Sequence, residues 1–227
     1  MSLIRPDTAT QRIVDAITTA IVERRLMPGT KLVEQQLADH FQVSRTLIRQ
    51  ALNQLSRNHL VRLRPGRGAF IAEPSIEEAR QIFEVRQALE QQLIRRMCAQ
   101  ATELDIAALR AHLVEESQAL QGGDVPRRTR LLAYFHVLLA QRAGNLVLAD
   151  LLAELSARCS LIALMYQSRH AAEHSVHEHQ ALVDAIERRD APAAEHLMHC
   201  HLGHVEQGLQ LQPRSTDLGA ALNRHIT

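Results

Sequence analysis

Between residues 32 and 72 the sequence runs through apolar residues at helical spacing, a short break, a second helical stripe headed by two arginines, and an alternating basic segment closed by glycines. Few folds accommodate that order: it describes a helix-turn-helix followed by a β-hairpin wing. Leu32, Leu37, Ala38 and Phe41 share one face at the helical period and predict the first helix. Phe41-Gln42-Val43 turns the chain. Ser44 can then cap a second helix, whose buried stripe is Leu47, Ile48, Ala51, Leu52 and Leu55. Arg45 and Arg49 stand one above the other outside that stripe. A helix entering a major groove end-first meets phosphates and purine edges there. A guanidinium suits both targets, because its planar fork donates two hydrogen bonds at once.

Beyond this helix Val61 and Leu63 alternate with Arg62 and Arg64, so the apolar pair is expected to face the core and the basic pair the solvent. Pro65-Gly66-Arg67-Gly68 reverses the chain and Ala69-Phe70-Ile71 returns. Gly66 and Gly68 permit positive φ and a close backbone approach to a phosphate. The wing tip is thus a second expected DNA contact, with Arg67 as its donor.

Charge is divided along the chain in the same sense. Residues 1–74 hold eleven Lys and Arg against six Asp and Glu, and the remainder fifteen against nineteen, so the overall +1 conceals a basic front and an acidic remainder. A polyanion is attracted to the first and not to the second, with an affinity expected to fall steeply with salt. Aromatic residues make up 3% and Trp is absent, while Ala, Leu, Gln, Glu and Arg dominate, a mix that favours helices over sheets. No apolar run approaches the roughly 18 residues of a membrane span, and the N-terminus lacks the apolar centre of a signal peptide, so no membrane partner and a cytoplasmic location are expected. Cys98, Cys159 and Cys200 are widely spaced, odd in number and without a CxxC. That pattern indicates neither a disulfide framework nor a thiolate zinc site, and the three are expected to act as small buried apolar residues.

Glu73-Pro74-Ser75 marks the expected boundary. Proline discourages continuation, and Ser75 with Glu78 has the spacing of a capping box, as has Thr8 with Gln11 ahead of the reading helices. From Ser75 onward helices are expected at about 75–100, 103–121, 126–143, 145–168, 170–189 and 191–210, separated by helix-ending and helix-starting signals such as Gly122-Gly123-Asp124 and Asp190-Ala191-Pro192. The expected fold is mainly α: a winged helix-turn-helix over residues 1–74, an all-α bundle over 75–212, and a weakly patterned tail at 213–227.

Eleven of the thirteen histidines lie after residue 75. Helical position singles out three of them. His136 is stacked between Leu132 and Leu139, His179 between Val176 and Val183, and His201 falls inside the stripe formed by Ala194, Leu197, Met198, Leu202 and Val205. A lone inward histidine is usually a satisfied core residue. Three on separate helices of one bundle can share a divalent cation and leave one coordination position open. Arg86 and Glu90 also sit on an apolar stripe, with Ala79, Ile82, Phe83, Leu93 and Met97. A buried guanidinium is costly unless paired, so Arg86 either bonds Glu90 or awaits an anionic effector, small organic acids being the favoured class if it faces a cavity.

Residues 8–72 resemble the DNA-binding domain of the GntR family of bacterial transcriptional regulators, through Leu37-Ala38, Val43-Ser44-Arg45-Thr46, Arg49, Ala51-Leu52, Leu55 and Gly68-Ala69-Phe70-Ile71. The resemblance implies operator contact by Ser44, Arg45, Thr46 and Arg49 from the recognition helix and by Gly66 and Arg67 from the wing. Leu47 and Gln50 stand where the family often has Pro and Glu, a difference expected to act on sequence preference. Residues 75–210 resemble the helical ligand-binding (FCD) domain of the FadR-type branch, through Glu84-Val85-Arg86, Leu89-Glu90, Phe135-His136, Gly144-Asn145, Glu178-His179, Asp184-Ala185-Ile186, Asp190, Ala193-Ala194, Met198 and His201. Many such domains hold a metal with one aspartate and three histidines. On that pattern His136, His179 and His201 carry over as ligands, and Leu132 occupies the aspartate's position. The loss of the aspartate leaves two readings: a three-histidine site for Zn²⁺, Ni²⁺ or a related ion, completed by water or a carboxylate effector, which is the expectation preferred, or a degenerate site whose pocket binds its effector without metal.

Together these readings predict a homodimeric, metabolite-responsive repressor with two heads on a near-palindromic operator, relieved by a small organic acid near Arg86. Two rivals remain at the level of sequence. One is a three-histidine metal-dependent hydrolase using Glu90 or Glu178 as base, without an HExxH-like signature to support it. The other is an architectural DNA-binding dimer without an effector.

Overall fold

The computed structural model describes residues 8–166 and 171–209. It opens with helix α1 (Ala9–Val22), strand β1 (Lys31–Leu32), helices α2 (Glu34–Phe41) and α3 (Arg45–Arg57), and strands β2 (Val61–Arg64) and β3 (Gly68–Ile71). Thr8 caps α1 by accepting from the Gln11 N–H, and Ser44 caps α3 by accepting from the Leu47 N–H at 3.4 Å. Gln42 ends α2 in the left-handed region at φ 54°, which swings the chain into α3. Ile13, Ile17 and Ile21 of α1 close over Ile48, Leu52 and Leu55 of α3 and over Val61 and Ile71 of the sheet, all of them buried. Each such side chain stabilises the head by roughly 1.5–3 kcal/mol relative to exposure.

Two expectations about the head are corrected. Leu32 does not begin the first reading helix: it lies in β1, opposite Ala69 of β3, in a sheet of order β1-β3-β2. A two-residue strand has no periodicity of its own, and this one exists because β3 offers a free edge. Leu63 is 44% exposed where the alternation puts it inside, because β2 runs past the margin of the core and only its first residue, Val61, is covered. The neighbouring Arg64 guanidinium stacks instead over Phe70, 4.7 Å from the ring centre.

The remaining helices are α4 (Ile76–Gln100), α5 (Glu103–Gln121), α6 (Val125–Arg142), α7 (Leu146–Tyr166), α8 (Ala171–Glu187) and α9 (Ala191–Gln207). Ser75 accepts from the Glu78 N–H as its half of the expected capping box requires, but the Glu78 carboxylate pairs with Arg158 at 2.6 Å instead of closing the box. Thr102 and Asp105 form a complete box at the start of α5. Asp124 and Asp190 cap α6 and α9, each followed by a proline in the first turn. α4 is central, packing on α6, α7, α8 and α9. The expected ends of the 145–168, 170–189 and 191–210 helices, and the tail at 213–227, fall partly or wholly outside the described residues.

The head does not stand apart. α1 packs against α6 and α7, and Ala157 and Leu161 of α7 are buried within the head's own core. Glu23 at the end of α1 pairs with Arg130 of α6 at 3.0 Å, and Tyr166 of α7 donates to the carbonyl of Pro74 at 3.2 Å. Among the described residues no helix is long and apolar enough to cross a membrane.

Candidate functional site

α6, α8 and α9 each turn one imidazole toward a common point. His136, His179 and His201 are all buried. The outward-facing nitrogen of each is engaged by a carboxylate: His136 Nδ1 by Glu90 of α4 at 2.5 Å, His179 Nδ1 by both oxygens of Glu116 of α5 at 3.0 Å, and His201 Nδ1 by Glu178 of α8 at 2.7 Å. A carboxylate only accepts, so each Nδ1 carries a proton, and in a neutral ring the Nε2 then presents a lone pair. His201 Nε2 lies 3.3 Å from His179 Nε2 and 3.4 Å from His136 Nε2. Three lone pairs so close repel unless something positive lies among them. Those spacings match the roughly 3.3 Å edge of a tetrahedron of nitrogens about a zinc-sized ion, and carboxylates behind histidines are the usual outer support of such ligands. The residues present therefore fit a divalent metal.

Electrostatics agree with this assignment of protons. Burial drives the His136 imidazole down to about 3 against the pull of Glu90, which keeps it neutral and able to ligate. Burial likewise lowers His201, outweighing its bond to Glu178. Glu90 would be raised by burial, but Arg86 and His136 outweigh it and hold the carboxyl at about 2; Glu116 is held at about 2, against burial, by His179 and His112. Phe135 stacks flat on His179 with centroids 3.8 Å apart, which fixes the ring's plane.

These histidines line a cavity of about 110 Å³, and so does Leu132, the residue at the family's aspartate position. Arg86 is shared between the two roles left open by its sequence. Its Nε donates to Glu90 at 2.7 Å and its Nη1 to Cys159 Sγ at 3.5 Å, while Nη2, buried and without a partner, belongs to the cavity wall. Opposing burial, Glu90 raises the guanidinium further above its ordinary range, so it is permanently charged. Ser156 contributes a second buried polar atom without a partner, its Oγ. The carboxylates considered as hydrolytic bases are both engaged: Glu90 by Arg86 and His136, Glu178 by His201 and His204.

On the head, Ser44, Arg45, Thr46 and Arg49 are exposed on the first turns of α3, and Gly66 and Arg67 are exposed at the wing tip. Gly66 has φ 70° and open space where a side chain would go, so backbone conformation rather than crowding calls for glycine. Arg45 and Arg49 both reach the same Glu34 oxygen, at 3.1 and 2.8 Å, an ion pair that sequence reading missed. Glu116, Arg128 and Arg24 were missed as well. Glu116 had a signal, since it shares the apolar stripe of α5 with Leu109, His112 and Leu113; Arg128 stands at the same helical spacing as Leu132 and His136; Arg24 had none.

Two family models match the chain: "Bacterial regulatory proteins, gntR family" over residues 9–71 and "FCD domain" over residues 81–204. The HTH-type transcriptional repressor RspR of Escherichia coli (strain K12) is 28% identical over 209 residues, 91% of this chain and 92% of its own. The Nta operon transcriptional regulator of Aminobacter aminovorans is 30% identical over 193 residues, 84% of this chain and 90% of its own. A solved structure of a putative transcriptional regulator GntR from Rhodococcus sp. RHA1 superposes with a TM-score of 0.80 at 20% identity, covering 90% of this chain and 99% of that one, a likeness of fold.

Proposed function

The chain belongs to the gntR family of bacterial regulatory proteins, as a DNA-binding transcriptional regulator with an FCD domain behind its head, and on that premise we propose that it is a metabolite-responsive repressor. It works as a cytoplasmic homodimer, its two heads (residues 1–74) on the half-sites of a near-palindromic operator. Ser44, Arg45, Thr46 and Arg49 meet the major groove, and Gly66 and Arg67 meet the flanking backbone. The exposed apolar residues Leu146, Val147 and Leu151 of α7 support a self-association surface.

One observation carries the effector reading: three buried imidazoles and the partnerless Nη2 of a buried arginine line the same cavity. His136, His179 and His201 would hold a Zn²⁺ or Ni²⁺ ion, which supplies a Lewis-acidic position for an oxygen ligand when bound. Arg86 binds and orients a small carboxylate, Leu132 supplies no ligand and so leaves a position free for it, and Glu90, Glu116 and Glu178 keep the proton on each Nδ1. The engagement of Glu90 and Glu178 by histidines counts against the hydrolase rival, which needs a free base.

Retention of promoter-proximal DNA fragments, measured by fluorescence anisotropy with and without succinate and citrate, in the presence of Zn²⁺ or a chelator, tests the reading. The expected result is salt-dependent binding that a carboxylate weakens in the metal-loaded protein. Equal, negligible retention of all fragments at low salt overturns it.

A further inference from the structure

The cavity wall includes a residue from outside the helical bundle. Arg24 follows the last turn of α1 in the head, and with Arg86 of α4 and Arg128 of α6 it lines the chamber that holds the three histidines. Arg128 buries an Nε without a hydrogen-bond partner, and Arg86 an Nη2. Burial and the nearby Arg128 charge both lower Arg24 from its ordinary range. Glu90 balances the charge of Arg86, but three guanidiniums line one small space that screens poorly, and two of their buried N–H groups, Arg86 Nη2 and Arg128 Nε, have no partner. Such a cluster is stabilised by an occupant with more than one negative charge, and a carboxylate pairs with a guanidinium fork through two parallel bonds.

Resting on the effector reading above, we infer that Arg24 is itself an effector contact: an organic acid with at least two carboxylates spans Arg86, Arg128 and Arg24, and so joins the DNA-reading head to the helical domain. The bound acid then acts on the head directly. It ties the end of α1 to α6 next to the Glu23–Arg130 pair and the Ala157 and Leu161 contacts, and thereby favours one setting of the head against the bundle. For the operator to be released, that setting must be the one that fits DNA less well.

The test uses the full chain loaded with Zn²⁺, as wild type, Arg24→Gln, Arg24→Lys and Arg128→Gln, with acetate, succinate and citrate as probes. Calorimetry gives affinity. Anisotropy with a promoter fragment gives the ratio of DNA affinities with and without citrate. Wild type is expected to bind succinate or citrate at least tenfold more tightly than acetate. Arg24→Gln and Arg128→Gln should each lose roughly tenfold or more for the multivalent acids, the scale of a lost charged hydrogen bond. Arg24→Lys should recover part of that loss, which a merely structural role would not give, and Arg24→Gln should also bring the DNA-affinity ratio toward one. Unfolding midpoints without ligand identify any variant that fails to fold, in which case Arg24→Lys and Arg128→Gln decide the matter. If folded Arg24→Gln binds citrate as wild type does, the inference is overturned while the effector reading stands. If wild type binds none of the three acids, both fall together.

Discussion

Leu132 sets the chemistry open to the three histidines. It lies one turn before His136, lines the same cavity, and offers no ligand atom. Leu132→Asp is expected to raise Zn²⁺ affinity tenfold or more in a chelator competition, and to weaken carboxylate binding because the new oxygen takes the open position. The histidines were legible because each interrupts an otherwise apolar stripe. Glu90 was legible for the same reason; its pairing with Arg86 was one of the two readings left open, and its bond to His136 had no signal in the sequence. Arg24 was not, since nothing in a helix-end arginine of the head tells which distant helices will close around it. Glu34 was hidden too: its join to Arg45 and Arg49 depends on how the turn at Gln42 folds α2 onto α3.

At the scale of elements, periodicity located the helices from α4 to α9 to within a few residues over the described residues, helped by the capping side chains that open α4, α5, α6, α7 and α9. It failed for β1, whose existence depends on a partner strand, and for Leu63, whose surroundings depend on where the head's core ends. The recognition helix and the wing should separate experimentally. Arg49→Ala is expected to cost about 1–3 kcal/mol at the operator and relax base preference, whereas Arg67→Ala should weaken all sequences alike and reduce the salt slope by about one. Anisotropy titrations on operator and scrambled duplexes across a salt series distinguish the two. The Glu34 pair does not oppose this, as an exposed ion pair contributes only about 0–1 kcal/mol and yields to phosphate.

For the whole molecule, a metal held by His136, His179 and His201 would link the folding of α6, α8 and α9. With free Zn²⁺ at about a hundred times its dissociation constant the folded state gains about 2.7 kcal/mol. Chelation should therefore lower the thermal midpoint, and in His201→Ala that chelator response should disappear. A scanning-fluorimetry series on the two proteins checks this. The placement of Ala157 and Leu161 among the head's interior side chains has a broader consequence. Reading module and sensing module cannot be exchanged between relatives as separate cassettes at Pro74. A hybrid regulator would have to bring the middle of α7 along with the borrowed head, so that operator choice and metabolite choice are inherited through one continuous surface.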